Sequence, residues 1–280
     1  MDGTRKRALR LTAAQIRKVA LETIENAHSG HVGGSFSAIE ILTTLYYETM
    51  KVDPKNPAWP QRDRFVLSKG HVTPALYATL ASRGYFPIAL LKTFRSIDGN
   101  LSGHAEMRHV PGVDMSTGSL GQGVSAALGM ALSGKMFHED YRVYALLGDG
   151  EIQEGQVWEA AMSAGAKRLD NFVAIVDNNR LQLDGSIEQI LDPEPIDQKF
   201  EAFKWHVISI DGHDVEQLAQ AFEEAKHVKG KPTAIIAHTV KGKGVSFMEN
   251  DVKWHGATPS DTQFKAAFLE LNRAIAELEG

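Results

Sequence analysis

Short apolar runs alternate with segments of helical periodicity along the second half of the chain. The runs are rich in β-branched and aromatic residues, which favours strands, and helical segments separate successive runs. This alternation predicts right-handed βαβ units, a mainly parallel sheet and helices on both of its faces. We therefore expect an α/β fold with three αβα layers. The predicted strands lie at 143–147, 172–177, 206–211 and 233–240, after an earlier short strand at 64–68.

The first part of the chain has the periodicity of helices rather than strands. Two capping-box patterns predict helix starts, one at Thr12 and one at Ser37, because a glutamine or glutamate follows each three residues later. Apolar residues at helical spacing follow both pairs. We expect one domain over residues 1–280, with a helical part at 1–60.

Further helices are predicted at about 73–83, at 121–134 and at 261–278. The second of these is rich in small residues, so it can pack closely against a neighbouring helix. The third carries its apolar residues along one stripe, as an amphipathic helix does. The segment 186–200 contains two prolines and predicts a longer irregular connection.

Composition excludes several classes of protein. The 280 residues are 43% hydrophobic and 23% charged, so the chain can bury a large core. The net charge of −5 comes without long runs of one sign, which argues against nucleic acid or an anionic membrane as partner. No apolar stretch approaches the ~20 residues of a membrane span, and no signal peptide is recognisable. The absence of cysteine excludes disulfides and a cysteine nucleophile, and we expect a cytoplasmic protein.

The stretch GDGEIQEG, at 148–155, joins a predicted strand to a predicted helix. In an open parallel sheet, ligands bind beyond the carboxyl ends of the strands, where helix N-termini attract anions. Gly148 and Gly150 allow the backbone to approach a bulky ligand, and Asp149 places a carboxylate near phosphate oxygens. A carboxylate beside phosphate requires a cation, and Mg²⁺ suits a site of few protein oxygens plus phosphates. The alternative for GDG by itself is an ordinary turn.

A second oxygen donor for such a cation is expected on the neighbouring strand end. The next predicted strand, FVAIVD, is followed by Asn178 and Asn179. Either motif alone is weak evidence for a cation site. Their occurrence at successive strand ends, with one helix between them, is much more specific.

Histidine is preceded by glycine more often than composition explains. With 25 Gly and 11 His, about one Gly-His pair is expected by chance, whereas four occur, ending at His31, His71, His104 and His213. A single histidine is usually structural, but glycine permits turns that present imidazole to a cleft, where it can exchange protons near neutral pH. We interpret His213 as a loop residue. A metal-hydrolase site using His28 with His31 is disfavoured, because Ser29-Gly30 ends a helix and no third ligand is near in sequence.

The motifs together resemble a known family. GDG followed by NN resembles the thiamine diphosphate motif, and GDGEIQEGQVWEAAMSAGAKRLDNFVAIVDNNRLQLDG is similar to transketolases. Other stretches agree with the same family along nearly the whole chain, namely SGHVGGS, RDRFVLSKGH, SGHAE, STGSLGQG and WHGATP. Thiamine-dependent dehydrogenases and deoxyxylulose-phosphate synthases share GDG and NN but differ in the histidine-bearing loops. The resemblance implies a thiamine diphosphate-binding fold and transfer of a two-carbon ketol unit from a ketose phosphate to an aldose phosphate.

The resemblance also implies roles for individual residues. Mg²⁺, or Ca²⁺ or Mn²⁺ in its place, would be held by the Asp149 and Asn179 side chains and the Leu181 carbonyl. The residues implied to contact or border thiamine diphosphate are His71, Gly118, Leu120, Asp149, Gly150, Glu154, Asn179, Lys241 and His255.

Sugar recognition and the subunit contact are implied as well. His31 and His104 would face the sugar, and His255 would share in proton transfer as a third catalytic histidine. Glu154 and Glu159 match acidic positions at the family's subunit contact, with a solvated first helical turn as the alternative. For Lys241 the alternative is a surface lysine.

Two departures from the family pattern limit these implications. The chain has no counterpart of the second thiamine-fold domain, which binds the aminopyrimidine and contributes the activating glutamate. It is therefore similar to the N-terminal subunit of a split transketolase, whose C-terminal partner chain supplies that domain, in a two-fold heterotetramer. The alternatives are a fragment of a longer protein and a non-catalytic diphosphate-binding scaffold or regulatory subunit. The loop SGHVGGS, at 29–35, also differs from the proline-containing loop of many members and leaves the sugar substrate open.

Overall fold

Five parallel strands form one sheet in the order β1-β2-β3-β5-β4 in this computed structural model, which describes all of residues 1–280. The strands are β1 Arg64–Leu67, β2 Val143–Gly148, β3 Phe172–Asn178, β4 His206–Asp211 and β5 Thr233–His238. The fully buried β3 lies at the centre of the sheet, as its unbroken apolar sequence requires. The α/β prediction and the predicted strand positions are confirmed.

Helices cover both faces of the sheet. They are α1 Gly3–Ala27, α2 Val32–Ser37, α3 Ile39–Thr44, α4 Thr73–Arg83, α5 Gln122–Met136, α6 Gly155–Ala166, α7 Ile187–Leu191, α8 Ile196–Ala202, α9 Val215–His227 and α10 Asp261–Glu279. Side chains alternate along β2, so Tyr144 and Leu146 join the core under α1, α4 and α9. Val143 and Ala145 point the other way, into the core under α5, α6 and α8. The result is the three-layer arrangement that the sequence predicts.

Both predicted capping boxes in the first part of the chain are wrong. Helix α1 begins nine residues earlier than predicted, where Asp2 accepts a hydrogen bond from the N–H of Arg5 at 2.7 Å. Thr12 lies inside this helix and donates to the Ala8 carbonyl instead. Ser37 ends α2, and its hydroxyl donates to Asp177 Oδ2 at 2.6 Å. In each case the hydroxyl has another acceptor that the local pattern does not reveal.

The predicted helices at 73–83 and 261–278 agree with the structure. Helix α4 occupies the predicted residues 73–83, and α10 begins at a true capping box formed by Ser260 and Gln263. The segment 186–200, predicted to be irregular, contains the two short helices α7 and α8, so that prediction is wrong in part. Both helices are too short to show a clear period in the sequence. None of the helices combines the length and apolar character that crossing a membrane requires.

Candidate active site

A cleft of about 280 Å³ opens at the carboxyl ends of four strands. Because the strands are parallel, the segments that follow β1, β2, β3 and β5 all meet at this edge of the sheet. Nine of the twelve predicted site residues line the cleft: His71, Leu120, Asp149, Gly150, Glu154, Asn179, Leu181, Lys241 and His255. The chain therefore brings together residues that are far apart in sequence.

Asp149 lies buried at the end of β2, where Gly148 pairs with Asp177 of β3. Its carboxylate accepts hydrogen bonds from the backbone N–H groups of Gly150, at 2.8 Å, and of Arg180. Burial and the nearby Asp177 raise the pKa of Asp149 to about 6. A buried carboxylate with a raised pKa is one that a bound cation would stabilise.

The donors next to Asp149 are those that Mg²⁺ prefers. Asn179 is buried at the end of β3, and Leu181 lines the same cleft, with its carbonyl accepting from the Lys241 ammonium. The oxygens beside Asp149 are thus neutral or anionic. The structure contains no group of three or more His, Asp or Glu side chains arranged to hold a metal. The donor set thus fits a cation that also takes oxygens from a diphosphate, since Mg²⁺ is commonly bound in this way.

Three predicted histidines form one cluster. The ring centroids of His31 and His71 are 5.0 Å apart, those of His31 and His255 5.6 Å, and those of His71 and His255 5.3 Å. Burial, together with nearby cations and the other rings, lowers the pKa of His31 to about 4 and that of His255 to about 3. The pKa of His71 is lowered for the same reasons. The cluster therefore offers neutral imidazoles at neutral pH.

His31, His104 and Gly118 do not line the cleft itself. His31 lies behind the cleft in the histidine cluster. His104 lies against the 117–118 loop, because a Cβ at Gly118 would be only 3.0 Å from His104 Cδ2. Burial and Arg95 lower the pKa of His104. Gly118, with φ +150°, thus allows the His104 ring to approach the backbone closely.

Lys241 is fully buried, so the surface-lysine alternative is wrong. Its ammonium donates to the Leu181 carbonyl and lies against His255 Nδ1, both at 2.8 Å. Burial and the nearby Lys69 lower the pKa of Lys241 to about 8. Glu154 is exposed at the rim of the cleft and Glu159 is exposed farther along α6, which leaves both of their interpretations open.

The sequence patterns predicted no role for three buried charged residues, Lys69, Glu151 and Asp177, of which Lys69 and Glu151 line the cleft. Lys69 follows β1 and pairs with Asp177, which also accepts from Ser37 Oγ at 2.6 Å. Glu151 accepts from the N–H groups of Gly121 and Gly148, both at 3.0 Å. The sequence feature that could have identified them is a charged residue at or shortly after the end of an apolar strand, as in RFVLSK and FVAIVD.

The metal-hydrolase alternative gains no support from the structure. His28 ends α1 in a left-handed conformation with φ +45°, as a helix C-cap does. Its partner in that alternative, His31, belongs instead to the cluster with His71 and His255.

The chain is similar to known proteins of one family. The family model for the transketolase thiamine diphosphate binding domain matches residues 9–271. The chain is 51% identical over 258 residues to the 6-deoxy-6-sulfo-D-fructose transketolase subunit SqwG of Clostridium sp. (strain MSTE9), covering 92% of this chain and 94% of that protein. It is 41% identical over 271 residues to an apulose-4-phosphate transketolase subunit of Phocaeicola vulgatus, covering 97% and 96%.

Single-chain transketolases match over part of their length. The mouse transketolase is 45% identical over 263 residues, which cover 91% of this chain and 40% of that protein. The crystal structure of the Campylobacter jejuni transketolase superposes with a TM-score of 0.90 at 34% identity, covering 99% of this chain and 46% of that one.

The fold and the cleft define an α/β protein with a ligand-sized cleft at the carboxyl ends of its strands. The chain belongs to the transketolase family and corresponds to its thiamine diphosphate binding domain. It spans less than half of single-chain transketolases but nearly the whole length of the two subunit relatives. The prediction of a transketolase-type, diphosphate-binding N-terminal unit with the thiamine diphosphate-binding fold is confirmed.

Proposed function

We propose that this chain is the diphosphate-binding subunit of a thiamine diphosphate- and Mg²⁺-dependent transketolase assembled from two kinds of chain. The enzyme transfers a two-carbon ketol unit from a ketose phosphate to an aldose phosphate. The observation that carries this proposal is the convergence, in one cleft, of Asp149, Asn179, the Leu181 carbonyl and Lys241 beside a cluster of neutral histidines.

The proposal assigns different residues of the cleft to the cation and to the diphosphate. Asp149, Asn179 and the Leu181 carbonyl would hold Mg²⁺ through oxygen, as hard cations require. The residues that would contact the diphosphate are Gly150, His71, Lys241 and His255, with Gly118 and Leu120 at the border. When bound, thiamine diphosphate supplies the ring that stabilises the carbanion formed on cleavage of the ketose C–C bond.

The histidines orient the sugar and move protons. His255 Nδ1 accepts the hydrogen bond from the Lys241 ammonium, so the neutral ring carries its proton on Nε2 and can donate it to a sugar oxygen. His31, in contact with the rings of His71 and His255, would face the sugar, as the family resemblance implies. His104 would contact the sugar from the adjacent loop. Neutral rings suit this task because they both donate and accept.

A partner chain would complete the site. Two relatives are named as transketolase subunits, which supports a C-terminal subunit that supplies the pyrimidine-binding domain and the activating glutamate. Glu154 and Glu159 are exposed, as residues at a subunit contact would be in the free chain. The named substrates of these relatives are a sulfonated and a phosphorylated sugar, so an anionic sugar is the substrate class proposed here. A cytoplasmic location stays a prediction.

Substitution of Asp149 tests the proposal. Asp149→Ala removes the buried carboxylate and is expected to lower the Mg²⁺-dependent affinity for thiamine diphosphate by about 100-fold, with little change in melting temperature. Isothermal titration calorimetry and activity of the complex with the C-terminal subunit measure both effects. Asp184→Ala is the matched control, because Asp184 is exposed near the same cleft. Full activity of Asp149→Ala at limiting Mg²⁺ would show that the metal assignment is wrong.

The same experiment separates the enzyme from a scaffold. A scaffold subunit would bind the cofactor in an Asp149-dependent way, yet the complex would transfer no ketol unit from any anionic ketose. The neutral histidine cluster favours the enzyme, because a scaffold does not need imidazoles beside a diphosphate site.

A further inference from the structure

His213 lies outside the cleft, in the turn between β4 and α9, yet its ring connects two distant parts of the chain. Nδ1 is 2.9 Å from Glu40 Oε2 in α3. Nε2 accepts a hydrogen bond of 2.8 Å from the backbone N–H of Val240, the residue before Lys241. The side chain is only 13% exposed, so it is built into the fold rather than projecting from a loop.

The two contacts of His213 fix which ring nitrogen carries the proton. A backbone N–H can only donate, so Nε2 accepts from Val240 and is unprotonated. The ring proton is therefore on Nδ1, where it is donated to the Glu40 carboxylate. Each nitrogen thus has one defined partner, and the ring cannot rotate without losing both.

Glu40 is itself held firmly from the other side. Arg17 Nη2 in α1 donates to Glu40 Oε1 at 2.6 Å, and both side chains are buried. Burial by itself raises the pKa of Glu40, but Arg17 and the hydrogen bond from His213 outweigh it and bring that pKa to about 2. A buried carboxylate with a partner on each oxygen is a rigid support for the imidazole.

The backbone on either side of Lys241 is fixed by hydrogen bonds. Val240 N–H donates to His213, and Gly242 N–H donates to the Gly33 carbonyl at 3.0 Å. Lysine has a long, flexible side chain, so its ammonium reaches one place reliably only when the backbone beneath it is fixed. The Lys241 carbonyl also accepts from the Asn250 N–H at 2.9 Å. The contact between His213 and Val240 is therefore one of three backbone hydrogen bonds that fix this segment, and the one made by a side chain.

We propose that His213 is a positioning residue for cofactor binding. Through Val240 it holds Lys241 in the cleft, while Glu40 and Arg17 hold His213 in turn. This inference rests on the proposed function, because Lys241 is there assigned to the diphosphate. Its energetic basis is preorganisation, since a lysine that is already placed loses less conformational freedom when the anion binds.

Two substitutions that differ by one methylene test this inference in the full-length chain. His213→Gln keeps an acceptor near the position of Nε2 and so keeps the Val240 contact, whereas His213→Asn ends near Nδ1 and cannot reach Val240. We expect hydrogen exchange of the peptide containing Val240 to be about tenfold faster in His213→Asn. Affinity for inorganic diphosphate with Mg²⁺, measured by calorimetry, is expected to fall about tenfold in the same variant. His213→Gln should stay within about threefold of the wild type in both measurements.

His206→Asn is a matched control, because His206 Nε2 also pairs with a glutamate, Glu224, at 2.6 Å but far from the cleft. It is expected to change neither measurement. The inference is wrong if His213→Asn lowers the melting temperature while exchange at Val240 and diphosphate affinity stay at wild-type values. In that case His213 has only a structural role.

Two other experimental results would also be informative. If His213→Asn does not fold, Glu40→Gln takes its place, because it loosens the ring while keeping the shape of the carboxylate. Unchanged exchange at Val240 in that variant would overturn the inference. If the wild-type chain binds no diphosphate, the proposed function loses its support, and the exchange measurement alone decides whether His213 fixes the segment.

Discussion

At the scale of single residues, environment rather than residue type decides what each side chain can do. Lys241 is buried against a carbonyl and an imidazole, whereas Lys243 is 38% exposed and pairs with Glu249 at 3.4 Å. Glu151 is likewise buried on backbone N–H groups, while Glu154, three residues on, is exposed. Side chains of the same type that are close in sequence therefore differ in how strongly burial disfavours their charged form, and they differ in their access to a ligand.

The buried Glu40 makes a prediction about pH. Its folded-state pKa of about 2 lies below the ordinary value of 4.5, so it contributes stability above pH 4.5 that is lost as pH falls towards 2. Glu40→Gln is expected to lower the free energy of unfolding at pH 7 by about 2–3 kcal/mol. The difference from the wild type should shrink steadily between about pH 5 and pH 3. Urea denaturation at several pH values measures it.

The control for this prediction is an exposed ion pair. Glu48 contacts Arg5 on the surface, so Glu48→Gln should change stability by less than about 1 kcal/mol at every pH. A constant difference between Glu40→Gln and the wild type from pH 7 to pH 3 would contradict the role assigned to Glu40.

At the scale of elements, two glycines of α5 differ in how closely they are packed. A Cβ at Gly123 would lie 2.7 Å from Ser68 Cα, so this end of the helix packs directly on the segment after β1. That segment continues into Lys69 and His71 of the cleft. Gly129, on the exposed side of the same helix, has open space where a Cβ would be. Close packing is thus required at Gly123 but not at Gly129.

Matched alanine substitutions in α5 test this difference. Gly129→Ala is expected to stabilise the isolated chain by about 0.5–1 kcal/mol, because alanine restricts the unfolded chain and meets no obstacle. Gly123→Ala is expected to destabilise it by about 1–3 kcal/mol, since the backbone at Ser68 has to move. Thermal unfolding followed by circular dichroism compares the two. Equal effects would mean that helix propensity, not packing, controls both positions.

At the scale of the whole molecule, the chain accounts for less than half of the length of the longer transketolases that it matches. This chain covers 46% of the Campylobacter jejuni enzyme but 94% of the Clostridium subunit. A cofactor held between two domains needs both surfaces, and closed two-fold assemblies are the common solution for soluble proteins. These observations motivate the two-fold heterotetramer proposed from the sequence.

Light scattering after size-exclusion chromatography tests the assembly. When this chain is mixed with its C-terminal partner, Mg²⁺ and thiamine diphosphate, we expect one species whose mass equals two copies of each chain. The chain by itself, run under the same conditions, is the control. A monomer of this chain that persists beside the free partner would rule out the heterotetramer.

The sequence by itself determined the elements and one part of the site. Alternating apolar runs and helical periods predict the five strands and α4, because strand and helix periodicity are local properties of the chain. The strand-end motifs predict that Asp149 and Asn179 meet, since parallel strands end at the same edge of a sheet. The excess of Gly-His pairs pointed to His31, His71 and His104, and resemblance to a family added His255 and Lys241.

Only the tertiary structure decided which charges are buried and which side chains share partners. Ser37 is the last residue of α2 rather than the residue before a helix, which is why the local capping pattern failed, and its hydroxyl donates to Asp177, 140 residues away. Glu40 and His213 are separated by 173 residues, and no periodicity connects them. Burial and hydrogen-bond partners depend on contacts between elements, whereas the sequence pattern records only the preferences of each element. The buried hydrogen bonds and ion pairs that hold the predicted site residues in place can therefore be identified only from the folded structure.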